Sequence, residues 1–226
     1  MKRFVLFAVL GLFFTGCGGP LVFNPPANLN YQITSDKIPM TVGIYVPPEI
    51  KGKQFEPCEK LMFGSTQCYT GDIGAVLETN AVSAYSQVFS NVKALNSHDD
   101  FSGVDIGVEL SYVSEELTTT LDGPVAYRTV ALGLGHRYLY PESLASDSSK
   151  VYTAQTHCKA AKCSIGGVEE GMSGTEIVLK QLFLPGFAFS GYGKTLANIV
   201  NTAFCASLKD NLESSVLDTK KAAAGL

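Results

Sequence analysis

The chain has 226 residues, of which 46% are hydrophobic and 17% are charged, and its formal net charge is −4 at pH 7. This length suffices for one domain with a substantial core. Because no cluster of basic residues offers contacts to phosphates, we expect no nucleic-acid partner.

The chain begins with a segment typical of a secretory signal. Lys2 and Arg3 precede an apolar run over residues 4–14, and small residues follow that run. The run is too short to cross a bilayer as a helix, which takes about 20 residues. The tetrapeptide Phe14-Thr15-Gly16-Cys17 resembles the bacterial lipobox, in which the cysteine becomes the lipidated first residue of the mature protein.

The resemblance to bacterial lipoproteins implies a signal peptide over residues 1–16 and acylation of Cys17. Two or more acyl chains hold a protein stably at a membrane. Gly18 follows the cysteine, where an aspartate would imply retention at the inner membrane, so the resemblance implies transfer to the outer membrane. We expect the anchored domain to face the periplasm. Loss of Lys2 and Arg3 with the signal changes the formal net charge from −4 to −6. The alternative interpretations are a plain cleaved signal and an uncleaved one.

The mature chain is predicted to be one domain with loose ends. Residues 17–38 contain the Pro25-Pro26 step and little periodicity, so we expect a lipidated N-terminus and a flexible tether. The alternative is that part of this segment packs along the domain. Residues 39–217 are predicted to form a single domain, and residues 218–226 a flexible tail.

Five cysteines remain after the lipidation site. Disulfides are the default in an exported protein, and four cysteines allow three pairings. The local pairs Cys58–Cys68 and Cys158–Cys163 are the simplest, although a zinc site around the second pair is an alternative. Cys205 falls in a helical pattern and is expected to be a buried free thiol. We predict no cofactor and no metal.

Hydrophobic periodicity predicts the central elements in chain order. Residues 40–46 alternate as in a strand, and residues 73–94 have the spacing of an amphipathic helix with Asp72 as its N-cap. Residues 104–112 alternate again, and 125–140 are predicted to be the antiparallel partner.

The rest of the chain is less regular until its last helix. Residues 141–175 are rich in Ser, Gly and Lys and carry the second cysteine pair. Residues 176–184 fit a strand or a helix, and Pro185-Gly186 favours a hairpin. Residues 196–216 have the spacing of a second amphipathic helix. This order predicts an α+β fold, a mostly antiparallel sheet with two amphipathic helices packed on one face.

The predicted hairpin carries a candidate partner contact. Phe183, Leu184, Phe187 and Phe189 flank its turn and would form an exposed apolar knob, which marks interaction sites. The alternative is that these side chains belong to the core.

Two motifs have patterns that are associated with catalysis or phosphate binding. Residues 188–195 fit a relaxed phosphate-loop pattern, but Ala188 replaces its first glycine, so we interpret them as the start of the last helix. Residues 171–174 are one residue short of the hydrolase nucleophile elbow, and His136 is the histidine that would serve as its base. Nothing positions these groups, and we predict no catalytic residues.

The sequence therefore favours a non-enzymatic envelope lipoprotein that binds another envelope component or supports assembly. Its layout resembles small outer-membrane assembly lipoproteins, such as the lipopolysaccharide-assembly type, which implies the same role. The alternatives are a surface-exposed adhesion or ligand-binding lipoprotein and an envelope hydrolase.

Overall fold

The structure is a computed structural model, which describes residues 19–33, 36–60, 66–122, 125–140, 147–159, 162–165, 168–171 and 189–224. The side chains of 121–127, 140–193 and 195 lie outside this description, as does Cys17. The strands are β1 (Leu21–Val22), β2 (Ile38–Tyr45), β3 (Gln54–Phe55), β4 (Cys58–Lys60), β5 (Thr66–Asp72), β6 (Phe89–Leu95), β7 (Ile106–Asp122), β8 (Val125–Tyr140), β9 (Asp147–Lys159), β10 (Lys162–Ile165) and β11 (Val168–Gly171). The helices are α1 (Pro48–Lys51), α2 (Gly74–Tyr85), α3 (Phe189–Ala223) and a 3-10 helix at His98–Gly103.

Seven strands form the main sheet, in the order β11-β10-β9-β8-β7-β2-β6. Strands β7, β8 and β9 are long antiparallel neighbours, whereas β2 is parallel to both β6 and β7. The predicted α+β class is confirmed, with the correction that the sheet is mixed around β2. The parallel pairing arises because α2 carries the chain from β2 across the sheet to β6, a connection that parallel strands require.

Both long helices pack on one face of this sheet, as predicted. Residues of α2 and α3 share one core cluster with the inward-facing residues of β2, β7 and β8. The Tyr85 hydroxyl of α2 joins the two helices through hydrogen bonds to Ser215 (2.7 Å) and Thr219 (2.9 Å) of α3. Helix α3 continues to Ala223, through part of the range that the sequence predicts as a flexible tail. Thr219, which lies in this range, is fully buried.

The predicted helix over 73–94 ends early. Asp72 does cap it, since the Ala75 amide donates to Asp72 Oδ1 at 2.9 Å. The helix stops at Tyr85, and Phe89–Leu95 is β6 instead. Phe89, Val92 and Leu95 are spaced by three, which imitates a helical stripe, although only Phe89 and Leu95 are buried in the strand.

Two regions for which the sequence predicts no strand are strands in the structure. Strand β7 runs through the polar residues 113–122, and β9 occupies Asp147–Lys159, within the segment rich in Ser, Gly and Lys. Both segments gain a full-length antiparallel partner in β8. Cross-strand pairing and Thr-rich composition stabilise strands that lack a clean apolar alternation.

The N-terminal segment packs on the domain where the sequence predicts a tether. We call residues 21–31 the strap. Strand β1 pairs in parallel with β5, Phe23 is 3% exposed and Tyr31 is 6% exposed. Phe23 contacts Phe55 and Phe204, with ring centroids 5.6 and 5.5 Å away.

A small second sheet contains the strap and a disulfide. Strands β1, β5 and β3 are neighbours, and β4 pairs with β5 in antiparallel register. Cys58 lies opposite Cys68, and their sulfurs are bonded. This predicted pair is confirmed.

Candidate binding surface

A cluster of aromatic and charged side chains lies on the sheet face that the helices leave uncovered. The register aligns Leu95, Tyr45, Glu109 and Arg137 across β6, β2, β7 and β8. Their neighbours Ile44 and Val108 belong to the helix-covered core, so side-chain alternation directs this row to the opposite face.

The 3-10 helix packs over this row. Phe101 and His98 contact the Tyr45 ring edge-on, with centroids 6.0 and 4.7 Å away. The close approach requires Gly107, because a Cβ at that position would clash with the Phe101 ring. The distal cluster is defined as the following five residues: Tyr45, His98, Phe101, Glu109 and Arg137.

Charged groups complete the distal cluster at its exposed side. Glu109 Oε2 accepts a hydrogen bond from Arg137 Nη2 at 2.8 Å and lies 3.7 Å from His98 Nε2. The side chains of His98 and Arg137 are 55% and 49% exposed, so both are accessible to a partner molecule. Exposed arginine beside packed aromatic rings is typical of protein-binding hot spots.

An edge strand lies beside the distal cluster. In the part of the sheet that the structure describes, β6 is the terminal strand. Its centre carries Lys93, whose Nζ donates to the Gly103 carbonyl at 3.1 Å. A lysine at an edge opposes nonspecific strand pairing, so side chains of the distal cluster are better suited than the β6 backbone to selective contact.

A buried polar group connects the disulfide hairpin to the far end of the long strands. Glu59, which is 4% exposed, accepts hydrogen bonds from Tyr69 and Thr119 and pairs with Arg128 Nε at 3.1 Å. Burial, and next the negative charge of Glu59, raise the pKa of Tyr69 far above its ordinary value, so the phenol remains a donor. All four residues have partners inside the fold, which makes this group a structural clamp. We call the end of the domain that carries Glu59, Lys60 and Thr66 the anchor end.

His136, the candidate base of the hydrolase alternative, lies in the interior of the domain. His136 is 6% exposed, and its Nε2 lies 3.3 Å from the Tyr138 hydroxyl. The adjoining cavity has a volume of about 10 Å³, room for roughly one water molecule. Ser214 and Ser215 line it, and a substrate of the alternative envelope hydrolase would need an open cleft here. Residues 172–174 of the candidate elbow lie outside the described part of the chain.

Two polar residues of α3 form hydrogen bonds with the backbone of β8 near this cavity. The Leu132 amide donates to Ser207 Oγ at 3.2 Å, and Asn211 bonds both the Leu132 carbonyl and the Leu134 amide. The contacts lie where β7 shifts register between Tyr112 and Ser114. A bulge leaves backbone groups unpaired, and these side chains satisfy them.

The other predicted site residues fall near or beyond the limits of the described chain. Phe183, Leu184 and Phe187 lie outside it, and Phe189 is the first residue of α3. Residues 190–195 are therefore helical, in agreement with the interpretation of this motif as the start of the last helix.

The remaining cysteines differ in outcome. Lys159 of β9 lies opposite Lys162 of β10 in antiparallel register, and Cys158 and Cys163 are the next residues along these two strands. A disulfide between these two cysteines stays a prediction. Cys205 is unpaired as predicted, although it is partly rather than fully buried.

Sequence reasoning missed both the distal cluster and the clamp. Arg128 shares strand parity with Val130 and Leu132, and an arginine at such a position was the available signal for a buried ion pair. The distal cluster gathers residues from separate elements, and nothing in their spacing joins them.

Comparison with known proteins adds information about the fold alone. No protein-family model matches the chain, and no curated protein matches it. Across the described residues, no helix combines the length and apolarity needed to cross a membrane.

Two solved structures resemble the chain to different degrees. A crystal structure of protein XCC0632 from Xanthomonas campestris, a DUF330 protein, matches with a TM-score of 0.50 and 9% identity over 90% of this chain and 99% of that chain. A structure described as a neuraminyllactose-binding hemagglutinin homolog from Helicobacter pylori matches with a TM-score of 0.28 and 7% identity over 82% and 98%. The second score is too low to carry an inference. The first shows that this chain has a fold like that of the DUF330 protein.

Proposed function

We propose that this chain is a lipoprotein of the bacterial outer membrane, anchored by acyl chains on Cys17, with a periplasm-facing domain that binds another envelope component without catalysis. The observation that carries the proposal is the lipobox-like Phe14–Cys17 segment directly before the strap. In this proposal, binding of the other envelope component supports assembly of the envelope.

The disulfide supports an exported location. Cys58 and Cys68 are bonded on paired strands, and such bonds persist in oxidising compartments such as the periplasm. The distal cluster supports the binding role, because it combines packed aromatic rings with exposed donors.

Lipidation is tested by mass spectrometry of the mature N-terminus and by membrane fractionation. We expect acyl mass on Cys17, and we expect the Cys17→Ser protein to lose both this mass and its membrane association. Cys205→Ser is the matched control, since it removes the unpaired thiol of α3 and leaves the lipobox intact. Identical fractionation of Cys17→Ser and unaltered protein would refute the anchor.

Binding is tested by photo-crosslinking in cells. A crosslinking residue at His98 should give a defined adduct that Arg137→Glu abolishes, because that change replaces the exposed donor and repels Glu109. The control position is Asn198, which is exposed on α3. Adducts of equal yield at both positions, or adducts that survive Arg137→Glu, would contradict a role for the distal cluster.

A surface-exposed adhesion role is the second candidate. The anchor and the distal cluster suit either membrane face. Protease treatment of intact cells distinguishes the two, since only a surface-exposed domain is cleaved without opening the outer membrane.

A further inference from the structure

We infer that the domain stands on the bilayer with its anchor end at the lipid headgroups and its distal cluster turned away from the membrane. This orientation rests on the proposed lipidation of Cys17. The partner of the anchor end is the lipid surface itself, and the contact is made around Leu21, Val22, Lys60 and Thr66.

The first step is the short reach between lipid and fold. Four residue steps separate Cys17 from Leu21, the first residue of β1. A fully extended chain covers at most about 3.5 Å per residue, so the two Cα atoms lie within about 14 Å of each other. A free tether of the predicted length would have averaged about 25 Å and left the domain without a fixed orientation.

The second step is the direction from which the chain approaches. Strand β1 is parallel to β5, with Leu21 opposite Tyr69, so residues before Leu21 approach from the side of Thr66. Lys60 pairs with Thr66 there, one residue beyond Glu59. Glu59 bonds Thr119, three residues before the end of β7. The start of β1 and the last described residues of β7 therefore lie at the same end of the domain.

The third step is the character of the long uncovered face. A domain lying flat on this face would bring β7 against the bilayer, and exposed polar side chains cover that strand: Ser111, Ser114, Glu116, Thr118 and Thr120. Moving such groups into an apolar medium without new hydrogen bonds costs free energy. Val113 is 51% exposed but isolated among them, whereas Val22, at 63%, lies beside the anchor.

The consequence is a fixed height for the distal cluster. Glu109 and Thr119 are ten residues apart on β7, about 30 Å at the usual strand rise. The anchored domain therefore presents the distal cluster about this far from the headgroups, within reach of components that do not touch the membrane.

The experiment uses tryptophan fluorescence, because the chain contains no tryptophan. Full-length acylated Thr66→Trp and Ser102→Trp proteins are reconstituted into phosphatidylcholine vesicles with or without brominated acyl chains, which quench only at short range. Both positions are exposed, and they lie at the anchor end and beside the distal cluster. We expect Thr66→Trp to lose most of its emission in brominated vesicles and Ser102→Trp to lose none.

A matched insertion tests the cause. Twenty Gly/Ser residues placed between Gly19 and Pro20 should reduce quenching of Thr66→Trp to the level of Ser102→Trp. Equal quenching of the two probes in the protein without the insertion would overturn the orientation. If the insertion left the quenching of Thr66→Trp unchanged, the short connection between Cys17 and β1 could not be its cause. A mature N-terminus without acyl mass would instead refute the lipidation, and the orientation with it.

Discussion

Asn80→Ala should destabilise the fold and loosen residues 26–31 of the strap. Asn80 is fully buried on α2, and its side chain makes four hydrogen bonds. Its Oδ1 accepts from the Leu29 amide at 2.7 Å and from the Tyr31 hydroxyl at 3.0 Å. Its Nδ2 donates to the carbonyls of Pro26 at 3.1 Å and Val76 at 2.9 Å. An asparagine side chain has two donor and two main acceptor positions, so every one is used.

The cost follows from the groups that lose a partner. The Tyr31 hydroxyl is buried and has a pKa raised by desolvation, so it stays a donor without an acceptor. Leu29 and Pro26 lie nearer to solvent and can rebond to water. A buried orphaned group costs about 1–3 kcal/mol, so we expect a total loss of about 3 kcal/mol. In a domain of this size that lowers Tm by roughly 6–12 °C.

The measurement is thermal and denaturant unfolding of the mature chain carrying Cys17→Ser. Ser83→Ala is the matched control on the same helix, because Ser83 Oγ donates to Asn28 of the same strap at 2.8 Å in an exposed setting. We expect this change to stay within about 0.5 kcal/mol. Amide hydrogen exchange at Leu29 should accelerate in Asn80→Ala alone. Equal stability of the two variants, or an unchanged Leu29 exchange rate, would refute the role of Asn80 in holding residues 26–31 against α2.

Three further predictions concern the hairpin and the last helix. Glu59→Gln should destabilise the fold by about 3–5 kcal/mol in denaturant unfolding, because Arg128 is left charged and buried, and adding Arg128→Met should recover part of the loss. Replacing Cys58 and Cys68 by serine should cost about 3 kcal/mol in the same assay, given their separation of 10 residues, and a loss below 1 kcal/mol would contradict the chain-entropy estimate. Burial raises the pKa of the Cys205 thiol to about 11, so iodoacetamide at pH 8 should alkylate it slowly until the protein unfolds. The neutral folded thiol contributes stability that is present below its ordinary pKa of 9.0 and is lost as pH rises through about 11, which unfolding between pH 8 and 11 would detect.

The elements that the sequence predicts well are those whose burial is periodic. Strands β7 and β8 alternate over part of their length because one face meets the long helices, whereas residues 42–46, in β2 and at its end, are buried on both faces, since the 3-10 helix covers Tyr45. Helix α2 has an apolar stripe and an N-cap at Asp72. The prediction fails at 89–95, where three apolar residues at steps of three fit a helix, yet pairing with β2 makes the segment extended. Tertiary pairing decides such segments, and spacing alone does not encode it.

The strap and the clamp were harder to predict for a different reason. Asn80 occupies a core-facing position between Val76 and Ala84, and Glu59 lies in a short segment without periodicity. A polar residue at a buried position signals that a partner exists but not which one. Those partners are 49–54 residues from Asn80 and 60–69 residues from Glu59, except for the nearby Val76 and Tyr69.

The strap changes what a lipid anchor does. Acyl chains fix one end of a chain at the membrane, but they orient a domain only when the connecting segment is short. Asn80 holds only residues 26–31, whereas β1 and Phe23 are held by β5, Phe55 and Phe204, so Asn80→Ala leaves the short reach from Cys17 to Leu21 in place. The same substitution should therefore lower Tm but keep the bromolipid quenching of Thr66→Trp, and Ser83→Ala should change neither. A loss of quenching in Asn80→Ala would show that residues 26–31, rather than β1, hold the anchor end at the headgroups.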